Sequence, residues 1–399
     1  MTGDRAPATS WLAVAAIAVA GIVAAFQIGK LPAALPALRA ELGLSLVEAG
    51  WIVSALAAVG VATGMVWGFV ADRFGHRRML LSGLGVIVAG TVLGSFAGSG
   101  TELFLTRLVE GCGYVTVLTA GPTAIGAFCR ERDRPMALGL WAFYMPVGLA
   151  GMVAVSPAVI EAASWRGLWQ INGALALAAI GGAAWATRGA RAATGSGIAT
   201  PMRTAIWKTV TSPGPPTLAT CFAAYSLVYI SVSVFLPTFL IERQGYPHHA
   251  ASYWVAVAMV VNAPGCVLGG WLLRRGWPAA RVIALAYLGM LISTPGIFAD
   301  GIDPGLRLAC AIFMPFIGGM IPPAVLARTG ALAAGPGLAS TCVGLVSQML
   351  MLNQLIGPPI LAALVAGLAS WERANWLTVP MILTGLAAAW ALSRLDRGG

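Results

Sequence analysis

A chain of 399 residues would ordinarily form two or three soluble domains, but the composition of this one excludes that arrangement. Apolar residues make up 58% of the sequence and charged residues only 10%, whereas a soluble domain carries roughly 25% charged residues. The net charge of +10 does not indicate a nucleic-acid-binding protein, because the basic residues lie in short clusters between apolar runs. The composition therefore predicts an integral membrane protein surrounded by the lipid bilayer.

Twelve apolar runs are long enough to cross a bilayer as helices, since a spanning helix needs about 20 mostly apolar residues. Backbone polar groups in lipid have to pair within their own segment, which a continuous apolar run achieves as a helix. The first run continues without a signal-peptide cleavage site, so we expect it to remain as the first span. The predicted spans are 11–36, 47–70, 79–98, 103–128, 137–159, 166–187, 215–241, 251–273, 281–299, 306–327, 338–365 and 374–393.

The loops predict both the orientation and the division of the chain. Most of the 24 Lys and Arg residues fall in loops on the same side as the two termini. Because basic loops stay in the cytoplasm, we expect an inner-membrane protein with both termini on the cytoplasmic side. The longest polar stretch, 188–214, is rich in small residues and runs into several prolines, so it reads as a flexible linker. It separates six spans in residues 1–187 from six in residues 215–399.

The two halves share a weak internal repeat. Five residues around the second span of each half keep their order at an almost constant offset. The pairs are Pro36 with Pro237, Trp51 with Trp254, Gly68 with Gly269, Arg73 with Arg274, and Gly75 with Gly276. Homologous halves predict a binding site where they meet, near the middle of the membrane.

The loop after span 2 carries the most specific motif, Gly68-Phe-Val-Ala-Asp72-Arg73-Phe-Gly75-His76-Arg77-Arg. It resembles the signature loop of the major facilitator superfamily, Gly-x-x-x-Asp-Arg-x-Gly-Arg-Arg, with His76 in the first position of the final basic run. The resemblance implies twelve helices in two pseudo-symmetric six-helix bundles. It also implies a secondary transporter that works by alternating access, without a cofactor or a metal, and we expect a monomer.

Asp72 stands at the end of a helix, where the helix dipole disfavours an anion, so it needs a partner. That partner could be Arg73, a basic residue of the 129–134 loop, or the N-terminus of another helix. In the family such an acid latches the two halves in the outward-facing state, and we expect Gly68, Asp72, Arg73, Gly75 and Arg77 to build this latch. The plainer alternative is a loop that only orients spans 2 and 3. In the second half Leu273 replaces the acid, which predicts a one-sided latch.

Three charged residues lie inside spans and away from the span ends, where each costs roughly 2.5–3.5 kcal/mol to insert and is a candidate for function. Lys30 and Glu110 fall at similar depth on spans 1 and 4, and Arg107 lies about one turn further out. Arg107-x-x-Glu110-Gly111 resembles the family's Arg-x-x-x-Gly motif, which is associated with proton coupling. Because spans 1 and 4 line the central cavity in that family, we predict one polar cluster.

Helix periodicity extends the cluster to Gln27, on the face of Lys30, and to Tyr114, on the face of Arg107 and Glu110. Glu110, the only acid away from the ends of the predicted spans, is the candidate proton switch together with Arg107. Each charge has a plainer alternative. Lys30 could snorkel to the interface, Arg107 could be structural, and Glu110 could be a simple ion-pair partner.

Other polar residues of the predicted spans are candidates for binding the substrate: Tyr144, Tyr225, Tyr229, Asn262, Asn353 and Gln354. Each could instead bridge two helices through hydrogen bonds, which is slightly favoured for Asn353 and Gln354. The six cysteines show neither metal-ligand spacing nor a paired framework.

The cluster sums to +1 with Glu110 ionised, which suits an anionic substrate and disfavours a lipophilic cation. We therefore predict a transporter of a small or organic anion, with proton coupling; features of spans 1 and 5 resemble the cyanate-permease and nitrate/nitrite branches. The alternative is a drug:proton antiporter, and a remote one is a non-transporting membrane sensor. No nucleophile–base pair, metal cluster or phosphate-binding loop supports an enzyme.

Overall fold

The computed structural model describes residues 8–188, 200–299, 301–368 and 371–398. Within these ranges the chain forms helices and no strand. A short 3-10 helix covers Trp371–Ala374. The α-helices are α1 Trp11–Leu42, α2 Leu46–Phe74, α3 His76–Ser95, α4 Gly100–Gly126, α5 Arg134–Ala142, α6 Tyr144–Ala186, α7 Met202–Thr211, α8 Gly214–Glu242, α9 His248–Arg274, α10 Ala279–Phe298, α11 Pro304–Gly318, α12 Ile321–Arg328, α13 Ala339–Leu368 and α14 Asn375–Gly398.

The predicted all-α membrane fold is confirmed. In the described part of the chain, 11 helical stretches are long and apolar enough to cross a membrane, and one of them, Arg134–Ala186, contains two predicted spans. The 43 residues of α6 would extend about 65 Å at 1.5 Å per residue, twice the roughly 30 Å of a bilayer core. Its helical geometry breaks at Ala163 and Ser164, where φ of Ser164 is 63°. This break separates span 5 from span 6 and accounts for the twelfth span.

Two elements differ from their prediction. α1 continues past residue 36 to Leu42, because its prolines are tolerated in a membrane helix and the cap comes only at Gly43, whose N–H donates to the Arg39 carbonyl. Part of the predicted flexible linker is the helix α7, in which Ala205 packs against apolar side chains of α2 and of the segment before α13. Residues 189–199 of that linker lie outside the described residues.

The two halves of the chain meet in two close helix pairs, α2 with α13 and α5 with α9. Glycines make both approaches possible. A Cβ on Gly68 would lie 2.2 Å from the Ser340 carbonyl oxygen, and one on Gly139 would lie 2.9 Å from the Cys266 carbonyl oxygen. Both contacts lie at the end of the bundle that holds residues 68–78, which we call the motif end. The halves are therefore closed against each other there.

Buried apolar side chains form separate cores along the chain. One core draws on residues 218–392, and a second draws on residues 14–179 with a few contributions from residues 326–351. The shared contributions come from α12 and α13, so the halves pack mainly within themselves and share core residues of these two helices. The exact boundaries of the two halves stay a prediction.

Candidate functional site

The three charged residues of the spans meet in one buried cluster, as their depth and helix faces predicted. Lys30 Nζ lies 2.8 Å from Glu110 Oε1, and Arg107 Nη1 pairs with Glu110 Oε2. All three side chains are at most 1% exposed. Glu110 thus binds one cation with each carboxylate oxygen, and the cluster carries one positive charge in excess. Burial at this depth is tolerated only because each charge has a partner.

Neighbouring helices hold the cluster in place. On α1, Lys30 Nζ also donates to Gln27 Oε1 at 2.6 Å, one turn away. On α3, the Thr91 hydroxyl lies 3.1 Å from both Gln27 Oε1 and Glu110 Oε1. On α6, the Trp169 ring centroid lies 4.3 Å from Lys30 Nζ, a cation–π contact. The alternative in which Lys30 snorkels to the interface is therefore wrong.

Two cluster members were not singled out from the sequence, Thr91 and Trp169. A threonine in an apolar span carries no charge to mark it, and tryptophans are common in membrane helices. Gly90 gives the available signal, since a Cβ there would lie 2.8 Å from Glu110 Cγ. A small residue next to a threonine lets α3 approach the carboxylate on α4 closely.

Two neighbouring chambers lie between the halves and share part of their lining. The outer chamber has a volume of about 270 Å³ and is lined by α1, α2, α4, α6, α8, α9 and α13. The inner chamber has a volume of about 70 Å³ and lies nearer the motif end, against α4, α5, α6, α8, α9, α12 and α13. Both are bounded by Met145, Pro146, Tyr229 and Ile230, which stand where one chamber meets the other.

Arg107 is the one charged residue that lines either chamber among the described residues. Its Nη1 is engaged by Glu110, whereas its Nε has no hydrogen-bond partner in the described part of the chain. Lys30 and Gln27 lie behind it and line neither chamber. The buried cluster therefore meets the cavity at Arg107.

Aromatic side chains form much of the inner wall. Tyr225 and Tyr229 stack with ring centroids 5.6 Å apart and an interplanar angle of 18°. Asn262 Nδ2 donates to the Tyr225 hydroxyl and to the Pro315 carbonyl, each at 2.8 Å. Tyr144 packs on Trp141 with centroids 5.0 Å apart. These contacts fix the rings before any ligand enters.

The predicted binding residues divide into two groups. Arg107, Tyr144, Tyr225, Tyr229, Asn262 and Gln354 line a chamber, and Gln354 Nε2 also lies 3.8 Å from Met145 Sδ in the other half. Gln27, Lys30, Tyr114 and Asn353 line neither chamber. Asn353 instead bridges α13 to α8, since its Nδ2 donates to the Ala223 carbonyl at 2.8 Å and to Ser226 Oγ at 2.7 Å.

At the motif end, Asp72 binds the N-terminus of α13 from the other half, the third of its three expected partners. Its carboxylate accepts hydrogen bonds from the Ser340 and Thr341 backbone N–H groups at 2.9 and 2.8 Å, and from the Thr341 hydroxyl at 2.8 Å. Unpaired N–H groups at a helix start favour an anion, so the site suits a carboxylate. His76 Nδ1 lies 3.2 Å from Ser340 Oγ and adds a contact that the sequence did not predict.

The basic residues of the motif act differently from expectation. Arg73 is exposed. Arg77 binds within its own half, because its Nε donates to Thr187 Oγ1 at 2.8 Å and its Nη2 to the Ala184 carbonyl at 3.1 Å, at the end of α6. Gly75 has a φ of 98°, which a residue with a side chain rarely adopts, and so permits the turn into α3.

A second contact joins the halves at this end, beside the one made by Asp72. Arg274, the repeat partner of Arg73, pairs with Asp133 across the halves at 3.0 Å. Asp133 also accepts from the Thr9 hydroxyl at 2.7 Å. Where the second half lacks the acid, its arginine pairs instead with an acid of the first half.

A helical bundle with a buried charge cluster and a cavity between two halves defines a class, the multi-pass membrane transporters, and not an enzyme. The chain belongs to the Major Facilitator Superfamily, whose family model matches residues 17–358.

Three similar proteins illustrate the range of the family. Monocarboxylate transporter 3 of Rattus norvegicus is 27% identical over 376 residues, which cover 88% of this chain and 73% of that protein. The methyl viologen resistance protein SmvA of Salmonella typhimurium is 28% identical over 172 residues, 43% of this chain and only 35% of SmvA. A solved structure of the E. coli fucose:proton symporter FucP has the same fold, with a TM-score of 0.77, 13% identity and coverage of 96% of this chain and 98% of that one.

Proposed function

We propose that this transporter moves an organic anion together with protons, by alternating access, across the inner membrane. The observation that carries the proposal is the buried cluster of Lys30, Arg107 and Glu110, which has an excess positive charge and reaches the cavity through Arg107. Both termini lie in the cytoplasm. Because one chain supplies both walls of the cavity, it works as a monomer.

The charge balance of the cluster supports an anion. Lys30 and Arg107 share the carboxylate of Glu110, and both of its oxygens are engaged. Within the described part of the chain, the guanidinium of Arg107 still has a free donor, Nε, and can bind a second anion. Arginine suits this role because its planar donors match the geometry of a carboxylate. Tyr229 and Gln354, which are among the polar residues that line the same chamber, orient the anion.

Competition for Arg107 supplies the coupling to protons. An anion that binds the guanidinium weakens the hold of Arg107 on Glu110, and a proton on Glu110 then restores the charge balance. Anion and proton together leave the cluster at its original charge of +1. Lys30 keeps Glu110 in place in both states, through the contact of 2.8 Å. The result is electroneutral symport.

The closed motif end corresponds to the outward-facing state. Two contacts join the halves at this end: Asp72 binds the N-terminus of α13, and Arg274 pairs with Asp133. Most basic loop residues lie on the same side, which is therefore the cytoplasmic side. We assign the latch to Gly68 and Asp72, with Gly75, Arg77 and His76 shaping the loop that presents them. Opening toward the cytoplasm requires both cross-half contacts to break.

The lining of the cavity favours an organic anion over cyanate or nitrate. Beyond Arg107, apolar and aromatic side chains predominate in both chambers. A small inorganic anion would be desolvated there without enough polar partners. The name of the rat relative, a monocarboxylate transporter, agrees with this choice.

A drug:proton antiporter is the second candidate, since SmvA and a lincomycin resistance protein of Streptomyces lincolnensis are among the relatives. A cationic drug would meet the excess positive charge of the cluster. The acid of that cluster already binds two cations, so the geometry favours the anion.

Uptake into proteoliposomes tests the proposal. Purified protein is reconstituted, a pH gradient is imposed, and uptake of labelled carboxylates is compared with that of a lipophilic cation. We expect an inward proton gradient to drive carboxylate uptake, and Lys30→Ala to abolish it while leaving the protein folded by gel filtration. Arg243→Gln, at an exposed position outside the motif, is the matched control. Unchanged uptake in Lys30→Ala, or uptake of the cation alone, would overturn the proposal.

A further inference from the structure

We propose that the protein binds an anionic phospholipid from the leaflet at the motif end. The headgroup binds α7, and part of one acyl chain lies in a groove formed by α8, α13 and α14. This site lies outside the two chambers and involves neither the charge cluster nor the latch. The proposal therefore holds whatever the transported substrate is.

An apolar groove of about 220 Å³ receives the chain. Its lining shares no residue with either chamber, because it uses different faces of α8 and α13. On α8 it is lined by Ala219 and Ala223, four residues apart, and by Thr220, which is exposed. The groove therefore opens away from the substrate cavity, toward the surrounding lipid.

The composition and the length of the groove suit a hydrocarbon chain. Apart from Thr220 its lining is apolar, and Met349 of α13 and Met381 of α14 bring unbranched side chains that adapt to a flexible neighbour. From Pro216 to Ala224 the groove follows α8 for about 12 Å at 1.5 Å per residue. One leaflet contributes about 15 Å of hydrocarbon, so the groove matches the depth of a chain that enters from the motif end.

Helix α7 places basic and aromatic side chains at the entrance of the groove. Arg203, Trp207 and Val210 share one face at i, i+4 and i+7, and all three are exposed, Trp207 by 68%. The opposite face holds α7 in place, because Ala205 is buried against apolar residues of α2 and of the segment before α13. Val210 also lines the groove, so the groove begins where this row of residues ends.

The charges on α7 define the headgroup. The helix has two basic residues, Arg203 and Lys208, and no acid. Within the described part of the chain, neither of them forms an ion pair. An exposed tryptophan beside unpaired cations is typical of a helix that lies at the membrane surface and attracts anionic lipids. A phosphate headgroup with a net negative charge is therefore the complementary partner.

Photolabelling by lipids in proteoliposomes tests the proposal. Vesicles of phosphatidylcholine carry an equal small fraction of either phosphatidylglycerol or phosphatidylcholine with a diazirine in one oleoyl chain. After illumination, mass spectrometry of peptides gives the labelling of residues 345–349, which include Leu345 and Met349 of the groove. The reference is residues 177–185 of α6, where Leu177 and Trp185 are 56% and 57% exposed at the motif end.

Phosphatidylglycerol should label the groove in preference to phosphatidylcholine. One Lys or Arg at an anionic surface strengthens binding about fivefold. We therefore expect the ratio of labelling by the two lipids to be about fivefold or more higher at residues 345–349 than at residues 177–185. Equal ratios at the two segments would overturn the proposal.

A double variant tests the headgroup site. Arg203→Gln combined with Lys208→Gln removes both charges of α7, and we expect the ratio at residues 345–349 to fall to that of the reference segment. Arg275→Gln combined with Arg281→Gln is the matched control, since it removes two exposed charges from the loop between α9 and α10 at the same end. Enrichment that survives the α7 double variant would overturn the proposal. If that variant does not reconstitute, its two single variants decide, each with an intermediate ratio expected.

A third variant tests the position of the chain. Thr220→Trp fills the groove from an exposed position and leaves the core of the second half intact. We expect it to lower the labelling of residues 345–349 by phosphatidylglycerol severalfold while labelling of residues 177–185 stays the same. Unchanged labelling at both segments would show that the chain does not lie in the groove, and the proposal would fail.

Discussion

Removal of the charge on Asp72 should open the motif end. The carboxylate accepts two backbone N–H groups and one hydroxyl at the start of α13, all between 2.8 and 2.9 Å, and the side chain is 2% exposed. Asp72→Asn keeps the size of the side chain and one acceptor oxygen. The substitution replaces the other oxygen by an NH2 group. This group cannot accept a hydrogen bond from the backbone N–H groups of α13, because it is itself a donor.

The magnitude follows from the lost contacts. A partly buried anion at a helix N-terminus contributes up to about 2 kcal/mol, and an N–H group that loses its acceptor adds about 1 kcal/mol or more. The closed state should therefore lose about 2–3 kcal/mol relative to the open one. That difference corresponds to a shift of roughly 30- to 150-fold in the ratio of open to closed molecules.

Alkylation of an introduced cysteine measures this ratio. Val343 lines the inner chamber, is 1% exposed and packs with the core of the first half. We expect Val343→Cys to react slowly with an impermeant maleimide applied from the motif side. Asp72→Asn should raise that rate at least tenfold, and the parent protein, which keeps Val343, gives the background from the native cysteines.

Two results would refute the reasoning. An unchanged alkylation rate in Asp72→Asn would mean that the hydrogen bonds to α13 do not hold the halves together. An equal rise in Arg73→Gln, which alters an exposed neighbour, would mean that the effect is a general loss of loop structure.

Three other predictions concern different parts of the molecule. Arg307→Leu should lower the free energy of unfolding by about 2–4 kcal/mol, seen as a lower melting temperature, because the buried guanidinium donates to the Ile297 and Ala299 carbonyls at 2.7 and 2.8 Å; exposed Arg243→Leu is the control and should change little. Burial, and then Asp133, raise the pKa of Cys129 in the loop after α4 to about 11, so its alkylation should keep rising roughly tenfold per pH unit from pH 7 to 10 instead of levelling off near 8.5. Gly139→Val should speed alkylation of Val343→Cys, since its Cβ would lie 2.9 Å from the Cys266 carbonyl oxygen and force α5 from α9; unchanged alkylation would show that this contact does not restrain opening.

The sequence predicts the fold well because the bilayer imposes one rule, long apolar helices, on every span. It fails where local geometry decides the outcome. The break of α6 at Ser164 fell in the predicted gap between spans, but α1 continues past its predicted end at residue 36 to Leu42. α7 was missed because its ten residues are too few to span a membrane, and its stability comes from packing against α2.

The charged cluster was predictable for a similar reason. Charges inside spans are rare, so depth and helix face sufficed to bring Lys30, Arg107 and Glu110 together. Neutral polar residues carry no such constraint. Asn353 was a binding candidate for which helix bridging was slightly favoured, and it bridges two helices, whereas Thr91 was not singled out and contacts Glu110. The division of the cavity into two chambers depends on side-chain packing that periodicity does not encode.

The central claim is that Glu110 carries the proton that accompanies the anion, and one measurement tests it most directly. Proteoliposomes containing Glu110→Gln are compared with the parent protein for pH-driven net uptake of a carboxylate and for exchange of labelled against unlabelled carboxylate at equal pH. The account predicts that the variant loses accumulation under the pH gradient and keeps exchange. Accumulation that survives in Glu110→Gln would contradict it, because the proton would then travel by a different group.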